Sequence, residues 1–135
     1  MDGIILTALK QIHNPKGNIF HALKKSDIGF DGFGEAYFSV INQGHIKGWK
    51  KHTEMTLNLV VPIGIVKFVI YDECTKEFFS VQLSHDNYQR LTVTPNLWIA
   101  FRGIGKYNTL LNIASIEHDP NEAVNKDIEA INYDW

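Results

Sequence analysis

Lys50 and His52 stand two residues apart in the phrase Lys47-Gly48-Trp49-Lys50-Lys51-His52. On a strand, where side chains alternate between faces, Lys50 and His52 share one face and Lys51 takes the other. An imidazole is the side chain that ordinarily titrates near neutrality, which suits His52 to take up and return a proton. A lysine beside it offers a cation for a developing oxyanion or for a diphosphate. Tyr37, on an earlier strand, is a further proton donor. Alternation along the last strand puts Glu117 on the inward face with Leu111, Ile113 and Ser115. From there it would orient His52, pair with Lys50 or serve as the acid. Two plainer readings stand beside these. His52 is a hydrogen-bonded structural histidine, or Lys50 and Glu117 form a salt bridge that fills the space.

The elements that must carry these groups follow one another at short intervals. Runs rich in β-branched and aromatic residues predict strands over 35–41, 47–52, 55–61, 65–72, 77–83, 89–93, 97–102 and 109–116. Pro62-Ile63-Gly64 and His85-Asp86-Asn87 are turns between them, and edge strands are expected around 4–6 and 18–23. Many short strands with tight turns predict an all-β sandwich or barrel. Met55, Leu57, Leu59 and Val61 form an inward face, and Leu97, Ile99 and Phe101 another. The wall around Lys50 and His52 is therefore largely apolar, the usual make-up of a site for an organic ligand. Asp119-Pro120 is expected to open a short helix or turn, and the aromatic end Tyr133-Asp134-Trp135 to dock on the barrel or on a second subunit.

Composition narrows the function classes. The chain has 135 residues, 44% apolar and 21% charged, enough for one domain (1–135) with a real core. A net charge of −2 gives no basic field for nucleic acid. The single Cys74 fits a reducing cytoplasm, and no signal peptide or membrane-spanning apolar run is read. Gly103-Ile104-Gly105-Lys106 fails as a phosphate loop because Tyr107 replaces its hydroxyl residue. Gly29, Gly32 and Gly34 lack the strand-to-helix context of a dinucleotide fingerprint.

The spacing from Gly44 to Gly64 resembles the cupin metal-binding motif: glycine, five residues, His-x-His, glutamate, six residues, glycine. Lys50 stands at the first His and Leu57 at the Glu. In a second cupin element, over 88–103, Ile99 stands at the His. One surviving His cannot hold a transition ion, so the resemblance implies a cupin-type jelly roll with neither metal nor other cofactor.

Residues 44–72 and 89–120, with Asn14-Pro15-Lys16-Gly17 upstream, resemble the dTDP-4-dehydrorhamnose 3,5-epimerases. The phrase around Lys50 and His52 is also similar to the His-x-His element of the dTDP-4-keto-6-deoxyhexose 3,4-ketoisomerases. By this resemblance Lys50 takes the place of the epimerase base and Glu117 that of the acid tyrosine. His52 takes the place of the second ketoisomerase His, while Lys16 and His21 fall at substrate-contacting positions. Trp49 is a candidate stacking platform for the base. The C-terminal extension that holds the epimerases' base-orienting aspartate has no counterpart.

The resemblance implies a metal-independent epimerase or ketoisomerase of a nucleotide-linked 4-keto-6-deoxy sugar, in the cytoplasm and in surface-polysaccharide synthesis. It also implies a homodimer, formed through the N-terminal strands or the Tyr133–Trp135 tail. The alternatives are a catalytically silent cupin that binds a sugar nucleotide or supports a partner enzyme, and a purely structural dimer.

Overall fold

The β-branched and aromatic runs become the twelve strands of a computed structural model that describes residues 1–135. They are β1 (Ile4–Ala8), β2 (Gln11–Ile12), β3 (Ile19–Phe20), β4 (Glu35–Val40), β5 (Ile46–His52) and β6 (Leu57–Ile63). There follow β7 (Val66–Asp72), β8 (Glu77–Leu83), β9 (Gln89–Val93), β10 (Trp98–Gly103), β11 (Thr109–Ala114) and β12 (Ala123–Asn125). The helical content is a single 3-10 turn, Ile128–Ala130, and no helix is long and apolar enough to cross a membrane. Asp119 makes a turn rather than opening a helix, its carboxylate accepting from the Asn121 N–H at 2.9 Å.

Two five-stranded antiparallel sheets make the fold, in the orders β1-β9-β6-β11-β4 and β12-β5-β10-β7-β8. Their facing sides pack as an all-β jelly roll of the cupin type. Between them lies the main core, in which Leu57, Leu59 and Val61 of β6 meet Phe68 and Ile70 of β7, Leu91 of β9 and Ile99 of β10. The inward faces read for Met55–Val61 and Leu97–Phe101 are the observed ones. The chain passes from the second sheet to the first between His52 and Leu57, and both residues line the cavity between the sheets.

The second sheet is also buried on its outer side. Trp49, Val69, Trp98 and Ala100 form a second core there, closed by Ile131, with Ile128, Tyr133 and Trp135 packed against it. The aromatic tail therefore docks on its own barrel. Tyr133 packs on Phe78 with ring centres 5.2 Å apart, and the Lys67 ammonium lies 5.0 Å from the Tyr133 ring.

On the outer side of the first sheet a buried cation takes the place of an apolar core. Arg90 on β9 is fully buried. It donates to Asn58 Oδ1 (3.1 Å), Ala22 O (2.8 Å), Ile28 O (3.0 Å) and Asp27 Oδ2 (3.2 Å). It thereby pins the loop 22–28 over the sheet. Asp27 is held below the usual carboxylate range, first by the Lys24 backbone N–H and then by Arg90. Removing the guanidinium leaves these carbonyls and the carboxylate facing an apolar stub. Arg90→Met is expected to lower the denaturant midpoint by the equivalent of about 2–4 kcal/mol at unchanged slope, checked by urea unfolding followed by tryptophan fluorescence.

Candidate active site

A cavity of about 360 Å³ opens at one end of the barrel. Its floor is apolar, with Leu57, Leu59, Ile99, Phe101 and Leu110; Asn112 is buried in its wall, and Tyr37, Ser39, Lys47, Lys50, His52 and Asn125 complete the polar lining. No Asp or Glu lines it, so two lysines enter the space without a carboxylate on the wall. Lys50 forms no ion pair, whereas Lys47 Nζ donates to Val40 O at 2.8 Å and to Ser39 Oγ at 3.3 Å.

Lys47 and Lys50 lie three positions apart, a spacing that would put them on opposite faces of a regular strand. Both line the cavity because β5 carries a bulge. Ile99 pairs with Lys50 and Phe101 with Lys47, so β5 spends one residue more than β10 between the same two pairings. Gly48 makes this contact with β10 close enough that an added Cβ would lie 2.8 Å from the Ala100 Cα. Its φ of +152° lies outside the range that side chains favour.

Trp49, one residue before Lys50, takes the other side of β5 by ordinary alternation. Its ring lies on the outer face, 0% exposed, with Nε1 donating to Ile128 O at 3.0 Å. The expectation of a base-stacking platform is overturned: Trp49 is a core residue of the opposite side. Lys51 shares that side and pairs with Glu73 at 2.6 Å. Hydrogen bonds from Lys51 and then Trp98 hold the Glu73 carboxyl below its usual range.

His52 is held by a residue the sequence reading passed over. Its Nδ1 lies 2.7 Å from Glu122 Oε1, while Glu122 Oε2 accepts the backbone N–H groups of Glu54 and Met55, each at 3.0 Å. The Glu122 carbonyl in turn accepts from Thr53 Oγ1 at 2.6 Å and from the Thr53 N–H at 3.0 Å. Glu122 is 4% exposed. Burial pushes its carboxyl up, but the His52 hydrogen bond and the two backbone donors outweigh this, and the net shift is downward. An ionised carboxylate accepts only, so in the neutral imidazole Nδ1 carries the hydrogen and the lone pair is on Nε2, which has no partner in the chain.

Tyr37 and Lys50 join His52 around the cavity as expected, Tyr37 on β4 of one sheet and the other two on β5 of the other. Glu117 does not. Leu110, Asn112 and Ala114 are the inward residues of β11, and the strand ends at Ala114. Glu117 lies beyond that end, exposed and outside the cavity. Alternation was read in the wrong phase because Leu111 and Ile113 are apolar although they face outward.

Lys16 and His21 are likewise elsewhere in the chain. Lys16 sits in the exposed turn between β2 and β3, and His21 lines a separate cavity with Thr7, Lys10 and Lys24. Lys47, Asn112, Asn125 and Glu122 were missed. Only Asn112 left a signal, as the polar residue inside Leu110–Ala114.

The fold family commonly holds a metal at this end of the barrel. Here the ligand positions are Lys50, Leu57 and Ile99, and no three His, Cys, Asp or Glu side chains are grouped to hold an ion. The donor set does not fit a metal.

Comparison with known proteins fits this geometry. The structure of a dTDP sugar isomerase from Desulfovibrio desulfuricans G20 superposes with a TM-score of 0.94 at 30% identity, over 99% of this chain and 91% of that one. The 3,4-ketoisomerase QdtA from Thermoanaerobacterium thermosaccharolyticum, solved as a mutant with TDP-4-keto-6-deoxyglucose, gives 0.80 at 22% identity, over 92% and 88%. The 3'-monoepimerase ChmJ from Streptomyces bikiniensis gives 0.87 at 13%, over 99% and 75%. No curated protein matches the sequence. The WxcM-like, C-terminal family, FdtA, matches residues 2–133, and the chain belongs to it.

Proposed function

We propose that the chain is an isomerase of a nucleotide-linked 4-keto-6-deoxy sugar, with His52 as the base that moves a proton next to the ketone. The observation that carries this is the His52–Glu122 pair at the edge of a cavity with two cations and no acid on its wall. An apolar floor with cationic and hydroxylic groups at the rim suits a sugar with a diphosphate. The 30%-identical dTDP sugar isomerase supports the same substrate class. In this reading His52 Nε2 takes the C3 proton and the electrons flow to the C4 oxygen. Lys50 faces the developing negative charge. The C3 hydroxyl then loses its proton as the C4 oxygen gains one, and His52 returns its proton to C4. The result is a 3-keto sugar. The net change is a proton shift, with no redox partner.

A second reading, epimerisation, is favoured by Tyr37, which stands on the sheet opposite His52 and would return a proton to the other face of the sugar. Lys47 and Asn125 join Lys50 as groups for the diphosphate or sugar. We place the reaction in the cytoplasmic supply of deoxysugars for surface polysaccharide. We also propose a homodimer, because Phe38 and Val40 on the edge strand β4 are 70% and 60% exposed beside the outward Leu111 and Ile113.

Deuterium wash-in followed by NMR tests the reading. Wild-type protein with dTDP-4-keto-6-deoxyglucose in D₂O is expected to incorporate deuterium next to the ketone. His52→Asn is expected to lose at least about a hundredfold in exchange rate. No exchange across a panel of keto sugars, alongside measurable nucleotide-sugar binding, would instead make this a silent binding cupin.

Glu122→Gln is expected to lower kcat by about 10–100-fold with KM little changed, since the amide no longer fixes the imidazole. It also has a stability signature. The folded carboxyl of Glu122 titrates below its ordinary value of 4.5. Its contribution is therefore complete above that pH and lost as pH falls through the lower folded value. Denaturation followed as the pH falls below 4.5 is expected to show a shallower acid-side decline in the variant than in the wild type.

Light scattering at micromolar concentration is expected to give twice the chain mass for the wild type and a monomer for Phe38→Asp. A monomeric wild type would contradict the dimer.

A further inference from the structure

Asn112 is the most deeply buried polar side chain on the cavity wall, 2% exposed, on a strand whose other inward residues, Leu110 and Ala114, belong to the apolar core. Its amide makes one hydrogen bond, from Nδ2 to Tyr37 Oη at 3.0 Å. The two residues are direct cross-strand partners on β11 and β4, which fixes the contact in the sheet register. Asn112 Oδ1 is buried and has no partner at all.

A buried amide with an unpaired oxygen lowers stability, and a leucine would suit the neighbouring Leu59 and Leu110 better. The fold therefore has no evident need for this asparagine. The one chemical act its side chain performs within the chain is to donate to the Tyr37 oxygen. A phenol that accepts a hydrogen bond keeps its own O–H free to donate elsewhere, and Tyr37 lines the cavity. The same N–H would stabilise the oxygen once that proton has left.

We infer that Asn112 is a positioning residue that holds Tyr37 as a proton donor to the ligand's keto oxygen. The inference rests on the isomerase reading above and deepens it, by assigning the donor that faces the reacting oxygens and the group that orients it. In ketoisomerisation Tyr37 gives its proton to the C4 oxygen and recovers one from the C3 hydroxyl, so the phenol ends as it began. Throughout, Asn112 keeps the phenol oxygen as the acceptor end of a fixed N–H···O contact.

The test sets activity against stability. Asn112→Leu removes the donor together with the orphaned oxygen, so thermal unfolding is expected to occur at an unchanged or higher temperature. On dTDP-4-keto-6-deoxyglucose the same variant is expected to lose about 30-fold or more in kcat, with KM within about threefold. In a Tyr37→Phe background, adding Asn112→Leu is expected to change kcat by less than about threefold, because the group it positions is already gone.

Parallel loss of stability and activity, or effects that multiply in the double variant, would overturn the inference, as would a Tyr37→Phe protein with wild-type kcat. Asn112→Ala supplies the same comparison if the leucine variant does not fold. A wild type that is inactive on every keto sugar tried would bring down the isomerase reading and the inference with it. An active wild type with an indifferent Asn112→Leu would bring down the inference alone.

Discussion

A carboxylate taken almost wholly out of water has to find a partner for each oxygen, and Glu122 finds them at the junction between the two sheets. One oxygen meets His52 at the end of β5, and the other meets the N–H groups of Glu54 and Met55 in the crossing to β6. Removing either side would leave a buried charge or a buried imidazole unanswered, which costs far more than an exposed pair is worth. The segment after Asp119 is therefore bound to its place. β12 lies along β5, Asn125 reaches the cavity, and the following residues are led over Trp49 and Trp98. Through one carboxylate the end of the chain becomes part of both the wall and the chemistry of the cavity.

β5 is the other member of this arrangement, and its extra residue matters as much as its side chains. A regular strand over 46–52 would set Lys47 on the outer face. The bulge at Gly48 and Trp49 brings Lys47 to the side of Lys50 and His52, while alternation keeps the indole on the other. The same stretch thus gives the cavity its positive charge and the second core one of its two buried tryptophans. Because that core is closed by the chain's own aromatic tail, the second sheet has no free apolar face beside it. The exposed apolar face is on the first sheet, around Phe38 and Val40.

Much of the fold was legible because turn chemistry and β-branched runs repeat along this sequence. The predicted runs 77–83 and 89–93 coincide with β8 and β9, and the other main strands differ at their ends by only one or two residues. The inward set of β6 was legible because Thr56 and Asn58 contrast with their apolar neighbours. β11 offered no such contrast: Leu111 and Ile113 are apolar on the outside and Asn112 is polar on the inside, so alternation pointed to the wrong face and carried Glu117 with it. Glu122 left no local trace, since a carboxylate after an Asp-Pro turn looks like any solvated acid until the chain folds back on β5. The side of Trp49 followed from its alternation with Lys50, whereas that of Lys47 could not be read without the bulge, and a one-residue insertion in register has no signature of its own beyond the glycine it contains. The lysine, tyrosine and histidine that the structure gathers around the cavity were visible through the strand pattern and the family frame together.

The proposed chemistry depends on Glu122 fixing the neutral His52 ring with its hydrogen on Nδ1 and its lone pair on Nε2. Nitrogen-15 NMR of the imidazole at pH 8 reads this directly, through the one-bond coupling and the chemical shift of each ring nitrogen. In the wild type a directly bonded hydrogen is expected on Nδ1 and none on Nε2, with the preference lost in Glu122→Gln. A His52 ring that carries hydrogen on Nε2 in the wild type at that pH, whether as the other tautomer or as the cation, would contradict that assignment.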